Sequence, residues 1–253
     1  MKDKHAITTQ YISMPLKFSK TVDKFKHPQI KILNSFKHHE KISIGDLSSN
    51  SFYVRLQYVS AQSAEKIQNV LEILMRYGIP NYFGFQRFSK DSDNKEMCQE
   101  IAYGEIDLKN KNKQKLLTSA YQSYLFNDWL IERVKLSKDI DRLSSKELSE
   151  MLKIDEKSAN ELKGQNYPFK LLYGDVLLDQ ENKKWVNLDD IKSYKKAFKD
   201  RKVTPTGLMC GKRPWRAKNL AGTFESEFDD ILVQANGARR EAWVYPTKIS
   251  SNL

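Results

Sequence analysis

Long apolar runs are missing from this sequence. Nowhere do about 18 apolar residues follow one another, so no segment reads as a membrane span. The amino terminus, Met1-Lys2-Asp3-Lys4-His5, has no apolar core of the kind a secretory signal carries. Cysteine is scarce: Cys98 and Cys210 are the only two in 253 residues, and neither belongs to a C-x-x-C pair. The four histidines, His5, His27, His38 and His39, lack zinc-site spacing, so neither a structural metal nor a disulfide framework is expected. A glycine-rich nucleotide-binding motif is absent too, and no cofactor is expected. These absences point to the cytoplasm, with no membrane and no metal partner.

Positive charge is what the chain has in plenty. Lys and Arg number 43 against 32 Asp and Glu, a formal net charge of +11. Such a surplus attracts polyanions, of which nucleic acid is the commonest in cytosol; a generally lysine-rich composition accounts for it as well. Hydrophobic residues at 40% and aromatics at 11% suffice for a packed core. No internal repeat or low-complexity tract interrupts the sequence, and a monomer is expected.

Two periods organise the chain. Residues 6–14 are rich in β-branched and aromatic side chains and close at Pro15; residues 29–33 are similar. Residues 51–59 alternate Phe52, Val54, Leu56 and Tyr58 against Tyr53, Arg55 and Gln57. All three segments read as strands. The period then changes. Ile67, Val70, Leu71 and Leu74 share one helical face, with Gly78 and Pro80 as the stop, and residues 81–93 follow as a loop. Residues 113–134 are helical again, with Leu116, Leu117, Ala120, Tyr121, Tyr124 and Leu125 as the apolar stripe. Ser144-x-x-Glu147 fits a capping box, and Asp155 caps a short helix ending at Gly164. Beyond it, residues 171–178 read as a strand and residues 187–199 as a helix with Ile191, Tyr194 and Phe198 facing inward. Phe224, Phe228, Ile231 and Leu232 mark another helix, ended by Asn236-Gly237, and residues 242–245 read as a strand stopped by Pro246. Lys109-Asn110-Lys111-Asn112-Lys113 resembles a linker, and the domain boundary is placed there.

Two segments are more specified than scaffolding requires. In Met1-Lys2-Asp3-Lys4-His5-Ala6 a carboxylate stands between two lysines just before a strand, and adjacent positive charge holds such a carboxylate ionised. An ionised, oriented Asp is a competent nucleophile or base. A solvated Lys-Asp-Lys turn explains the same residues, and physics alone favours that plainer reading. The second segment, Pro80-Asn81-Tyr82-Phe83-Gly84-Phe85-Gln86-Arg87-Phe88, gathers four aromatics, two amides and an arginine beside a glycine. Aromatic faces stack on unpaired bases, amides read base edges, and arginine pairs with phosphate or carboxylate. A loop tucked into a core would use the same aromatics.

Together these segments carry a resemblance. Lys2-Asp3-x-x-Ala6-x-Thr8-x-Gln10 resembles the segment that holds the catalytic Asp of the TruD family of pseudouridine synthases, and Asn81-Tyr82-Phe83-Gly84-x-Gln86-Arg87-Phe88 resembles that family's second signature. Ser119-Ala120-x-x-Ser123-x-x-Phe126-Asn127 is similar to the helix that opens the family's inserted domain. Thr204-Pro205-Thr206-Gly207 and Gly237-Ala238-Arg239-Arg240 match weaker patterns, so the likeness extends along almost the whole chain. Family members carry sequence ahead of the Asp motif and beyond the position of Leu253. The resemblance therefore implies a fragment, whose own activity is open, with a catalytically dead RNA-binding fragment or tRNA chaperone as the alternative.

The resemblance implies an α+β fold. Residues 1–105 would be a partial catalytic domain with an antiparallel-rich sheet and helices, residues 106–248 an inserted α/β domain, and residues 249–253 the return to the first. It also implies isomerisation of a tRNA uridine, at position 13, with Asp3 attacking either the ribose or the base. Phe83 would stack on the extruded base, Asn81 would orient the loop or Asp3, and Lys2 and Arg87 would keep Asp3 ionised or contact phosphate, with a structural ion-pair role equally open to Arg87. Thr8 and Gln10 are read as bracing the strand. Lys212, Arg213 and Arg216, in the basic loop with Pro214 and Trp215, and Arg239 with Arg240 after a helix end, are the candidate tRNA contacts. A DNA-binding regulator would need a helix-turn-helix with exposed basic residues, and none is legible.

Overall fold

In a computed structural model of the chain, residues 6–43, 46, 51–88, 94–246 and 248–250 are described. The chain divides into two compact units, residues 1–59 and residues 60–253.

The first unit departs from the sequence reading. Among its described residues the regular structure is a 3-10 turn, Leu16–Phe18, running into the four-residue helix α1, Ser19–Val22, and an isolated bridge between His27 and Ile30. The described parts of residues 6–14, 29–33 and 51–59 form no strand, where three were expected. Strand propensity is realised only when a neighbouring strand takes up the backbone N–H and C=O groups and one side-chain face is buried. Neither condition holds: Ile7, Tyr11, Phe52, Tyr53, Val54 and Tyr58 are all exposed. The alternation of Phe52, Val54, Leu56 and Tyr58 is therefore a pattern without a partner among the described residues.

The second unit begins with helix α2, Ala61–Tyr77. Ser60 starts it by accepting the Ser63 N–H, and Gly78 ends it at a φ of 77°, a left-handed backbone that favours glycine. A Cβ at Gly78 would also stand 2.5 Å from the Trp243 indole nitrogen. The helix forms as expected with Ile67, Leu71 and Leu74 partly buried, but Val70 is exposed and no α2 residue is fully buried. Strand β1, Ile79–Pro80, then pairs antiparallel with β6, Trp243–Val244. Helix α3, Lys95–Tyr103, was not legible in the sequence. It packs on α4, Lys111–Arg142, a 32-residue helix that begins inside the supposed linker, with Asn110 as its cap accepting the Asn112 and Lys113 N–H groups. A cap followed by lysines reads as a linker until the apolar stripe behind it finds a core.

Helices α5, Ser145–Leu152, and α6, Glu156–Lys163, form as expected, the first through a complete Ser144–Glu147 capping box and the second capped by Asp155. The sheet is antiparallel throughout, in the order β3, β2, β4, β5: Trp185–Asn187, Val176–Asp179, Val203–Met209 and Ala238–Glu241. Helix α7, Ile191–Lys199, starts only after Asp190, because residues 185–187 are taken into β3. The α+β expectation holds, and its sheet lies in residues 176–241.

Helix α8, Asn219–Ser226, stops short of the expected helix through Leu232. Tertiary partners capture the two aspartates that would continue it: Asp229 takes the Arg216 guanidinium at 2.6 Å, and Asp230 takes the hydroxyls of Tyr103 and Tyr121. Ile231 and Leu232 face solvent, not the core.

Beneath β4 the core is tight. Gly207 lies where α4 crosses: a Cβ there would sit 2.2 Å from the Trp129 ring and 2.8 Å from that of Phe126. Deeper, Arg133 of α4 is buried in a pair with Asp175 at 2.9 Å and faces the rings of Phe169, Trp129 and Phe224. Its Nε and Nη1 have no hydrogen-bond partner among the described residues, so ring faces take the place of acceptors there.

Candidate functional site

Asp3 and Lys2 lie outside the described residues, and the site geometry is that of the aromatic loop. The loop leaves β1 and is fastened at both ends. The Asn81 N–H donates to the Ala242 carbonyl at 2.9 Å, and Asn81 Nδ2 donates to the Glu241 carbonyl at 2.9 Å. Asn81 Oδ1 accepts from Arg240 Nη2 at 2.9 Å. The Asn81 amide is thus engaged at both its oxygen and its nitrogen, which suits fixing the loop better than reading a base edge.

Two residues on, Asn127 clamps the backbone of Phe83. Its Oδ1 accepts the Phe83 N–H at 2.9 Å and its Nδ2 donates to the Phe83 carbonyl at 3.0 Å. A turn follows, with the Arg87 N–H donating to the Gly84 carbonyl and the Phe88 N–H to that of Phe85. Arg87 then reaches down to α4, donating through Nε to Ser123 Oγ at 3.0 Å and through Nη2 to the carbonyl and hydroxyl of Ser119. Phe88 stacks on Tyr124 with ring centres 4.2 Å apart. Ser119, Ser123, Phe126 and Asn127 follow the i, i+4, i+7, i+8 spacing of one helical face, which is why a single helix can hold the whole loop. Phe85 at the tip is 96% exposed.

Phe83 stands at the meeting point. Phe126 meets its ring edge-on at 5.7 Å, and the Arg240 guanidinium carbon lies 3.8 Å from its centre, with that of Arg87 at 5.4 Å. Burial pulls both guanidinium pKa values below the ordinary range; for Arg240 the Arg87 charge adds to the fall and Glu241 opposes it. Among the described residues no carboxylate lies within ion-pair distance of Arg240. A partly buried ring with two converging cations suits a flat ligand carrying negative charge.

The other candidates divide. Lys212 and Arg213 are exposed on the loop between β4 and α8, and Arg216 there pairs with Asp229 at 2.6 Å. Arg239, expected to reach an RNA phosphate, instead has a side chain only 2% exposed. Its guanidinium donates to Glu225, to the Trp215 carbonyl, and to the hydroxyl and carbonyl of Thr206. Successive β5 side chains point to opposite faces, so one of two adjacent arginines is driven inward while Arg240 meets the aromatic loop. Asn127 and Glu225 were not singled out individually in the sequence; the only signal for Asn127 was its place in the Ser119 to Asn127 pattern. Among the described residues no group of three or more His, Cys, Asp or Glu could hold a metal ion, and no helix is long and apolar enough to cross a membrane.

Comparison with known proteins decides the family. The sequence profile described as tRNA pseudouridine synthase D (TruD) matches residues 1–108. The tRNA pseudouridine synthase D of Wolinella succinogenes is 39% identical over 249 residues, covering 97% of this chain and 68% of that protein. That of Nitratiruptor is 40% identical, covering 98% and 69%. The chain belongs to the TruD family. A solved structure described as TruD from Methanosarcina mazei is 14% identical with a TM-score of 0.45, covering 72% of this chain and 56% of that one. Within the TruD match fall Lys2, Asp3, Asn81, Phe83 and Arg87, whereas Asn127 and Arg240, which fasten the aromatic loop, lie beyond residue 108.

Proposed function

We propose that this chain is a tRNA pseudouridine synthase, an isomerase acting on a uridine of tRNA at position 13. The observation that carries this reading is the fixed aromatic loop of a TruD-family chain: Phe83, held by Asn127 and flanked by two guanidinium groups, is a surface for a pyrimidine with its phosphate. The reaction breaks the N1–C1′ bond, turns the uracil and rejoins it through C5. A proton leaves C5 and one arrives at N1, so no electron acceptor is required. A base in a helix is out of reach, so the target is held extruded from its stack, with Phe83 as the aromatic support.

In this reading Asp3 is the nucleophile, attacking ribose or base, and Lys2 favours its ionised form. Asn81 and Arg87 keep the loop in place, while exposed Lys212 and Arg213, with Arg216, add sequence-blind, salt-sensitive attraction to phosphates. Residues 106–248 serve as the family's inserted domain, and residues 1–105 with 249–253 belong to the catalytic domain. The partner is tRNA, the working form a monomer and the compartment the cytoplasm. The test is carbodiimide mapping of unmodified tRNA transcripts after incubation with the protein. A new pseudouridine stop supports the reading; tight tRNA binding with no stop would assign the chain to RNA binding without catalysis.

A further inference from the structure

Residues 211–218, Gly-Lys-Arg-Pro-Trp-Arg-Ala-Lys, connect β4 to α8, and their geometry is unlike that of a solvated basic loop. Trp215 is 50% exposed, whereas Trp129 and Trp243 are buried in the core. Yet its orientation is fixed. The indole Nε1 donates to Asn187 Oδ1 at 2.8 Å, and the Trp215 carbonyl accepts from Arg239 Nη1 at 3.1 Å. The Ala217 N–H donates to Glu225 Oε1 at 2.9 Å, and the other oxygen of Glu225 takes Arg239 at 2.6 Å. A buried ion pair, its side chains 2% and 4% exposed, thus grips the backbone on either side of Arg216. The loop's ends are tied as well: the Lys212 N–H donates to the Ala235 carbonyl at 2.7 Å and the Lys218 N–H to that of Gly174 at 2.9 Å.

Along this same loop the charges are unspent. Lys212, Arg213 and Lys218 are exposed, and among the described residues none has a carboxylate within ion-pair distance. A rigid aromatic face with its polar edge already satisfied, carried on a loop with three exposed cations, matches one chemistry closely: a planar base joined to phosphates. Preorganisation counts here, because a tryptophan that already sits in its binding orientation loses little rotamer freedom when a base covers it.

We propose that Trp215 is a stacking platform for an unpaired nucleotide of the RNA, with Lys212, Arg213 and Lys218 taking the neighbouring phosphates. The inference rests on the reading above for which RNA that is, and adds a second aromatic station to it. Arg239 and Arg240 point to opposite faces of β5, one bracing Trp215 and the other Phe83, so the two rings are separate stations.

The experiment follows tryptophan emission of the full chain during titration with oligouridylate, with heparin as a polyanion that has no bases and oligoglutamate as an acidic peptide. Oligouridylate should quench the native protein and leave Trp215→Phe unquenched, while heparin quenches neither. Trp215→Ala should weaken oligouridylate binding about tenfold, the scale of one lost base stack, and leave heparin binding unchanged. Lys212→Gln should weaken both polyanions alike. Equal quenching of native and Trp215→Phe would overturn the proposal, as would oligoglutamate binding as tight as oligouridylate, which would make this an acidic-protein surface. On tRNA turnover Trp215→Ala should raise KM with kcat nearly unchanged; an active enzyme with unchanged KM refutes the platform but not the enzyme. Trp215-dependent quenching in a chain that makes no pseudouridine supports the platform and refutes the enzyme.

Discussion

Replacing Asn127 by Ala removes both hydrogen bonds to the Phe83 backbone, at 2.9 and 3.0 Å, without touching the ring or any ionised group. Each such bond contributes about 1 kcal/mol net, so the held form of the loop loses about 2 kcal/mol relative to forms in which water takes the two backbone groups. If the held form is the one that works, kcat/KM on tRNA falls by about 30-fold, since each 1.36 kcal/mol is a factor of ten. The cost to global stability should be smaller, because the loop sits at the surface and α4 keeps its other contacts. Asn127→Asp separates the two bonds: it keeps an acceptor for the Phe83 N–H and loses the donor to the Phe83 carbonyl, so its activity should lie between native and Asn127→Ala. Steady-state kinetics on tRNA transcripts, alongside urea unfolding monitored at equilibrium, measure both quantities. An unchanged kcat/KM in Asn127→Ala, with the protein folded, would refute the claim that the clamp presents Phe83 for function.

Phe83→Ala should lower kcat at least tenfold while tRNA affinity changes little, and a raised KM at unchanged kcat would reduce Phe83 to a contact residue. Asp175→Asn removes the carboxylate that pairs with buried Arg133 at 2.9 Å; breaking such a buried pair costs about 3–5 kcal/mol. At about 2–4 °C per kcal/mol for a chain of this size, Tm should drop by about 10 °C in calorimetry, and a drop below about 2 °C would contradict the pairing. Acid should loosen the helix starts. Hydrogen bonds from the hydroxyls of Ser144, Ser158 and Ser193 hold the Glu147, Asp155 and Asp190 carboxyls below their ordinary values of 4.5, 3.8 and 3.8. Carboxyls whose pKa falls on folding stabilise the fold above the unfolded value and lose that contribution as pH drops through the folded one. Thermal scans should therefore show Tm decreasing below about pH 4, less steeply in Asp155→Asn; identical pH profiles would exclude the capping carboxylate as a contributor.

The helices were legible where local chemistry and burial agree. Ser144 with Glu147, Asp155, and the stripe through Leu117 and Tyr121 each name a helix, and each is one. Local signals failed where distant partners decide. The alternation at residues 51–59 promises a strand but meets no neighbour among the described residues, and helix α8 ends early because Asp229 and Asp230 serve Arg216, Tyr103 and Tyr121. At the site, the importance of Phe83 was visible as a motif, but the means of holding it was not. Asn127 and Arg240 are 44 and 157 residues away along the chain, and no spacing rule connects them to the loop. Arg239 and Arg240 look alike in sequence, and only the pleat of β5 separates a buried structural arginine from one that meets the aromatic loop.

The most direct measurement compares native protein with Asp3→Asn on unmodified tRNA transcripts, mapping pseudouridine by carbodiimide-dependent stops. The native chain should convert one uridine, and the amide variant, which binds tRNA but offers no carboxylate, should convert none. Equal conversion by both would remove Asp3 from the chemistry.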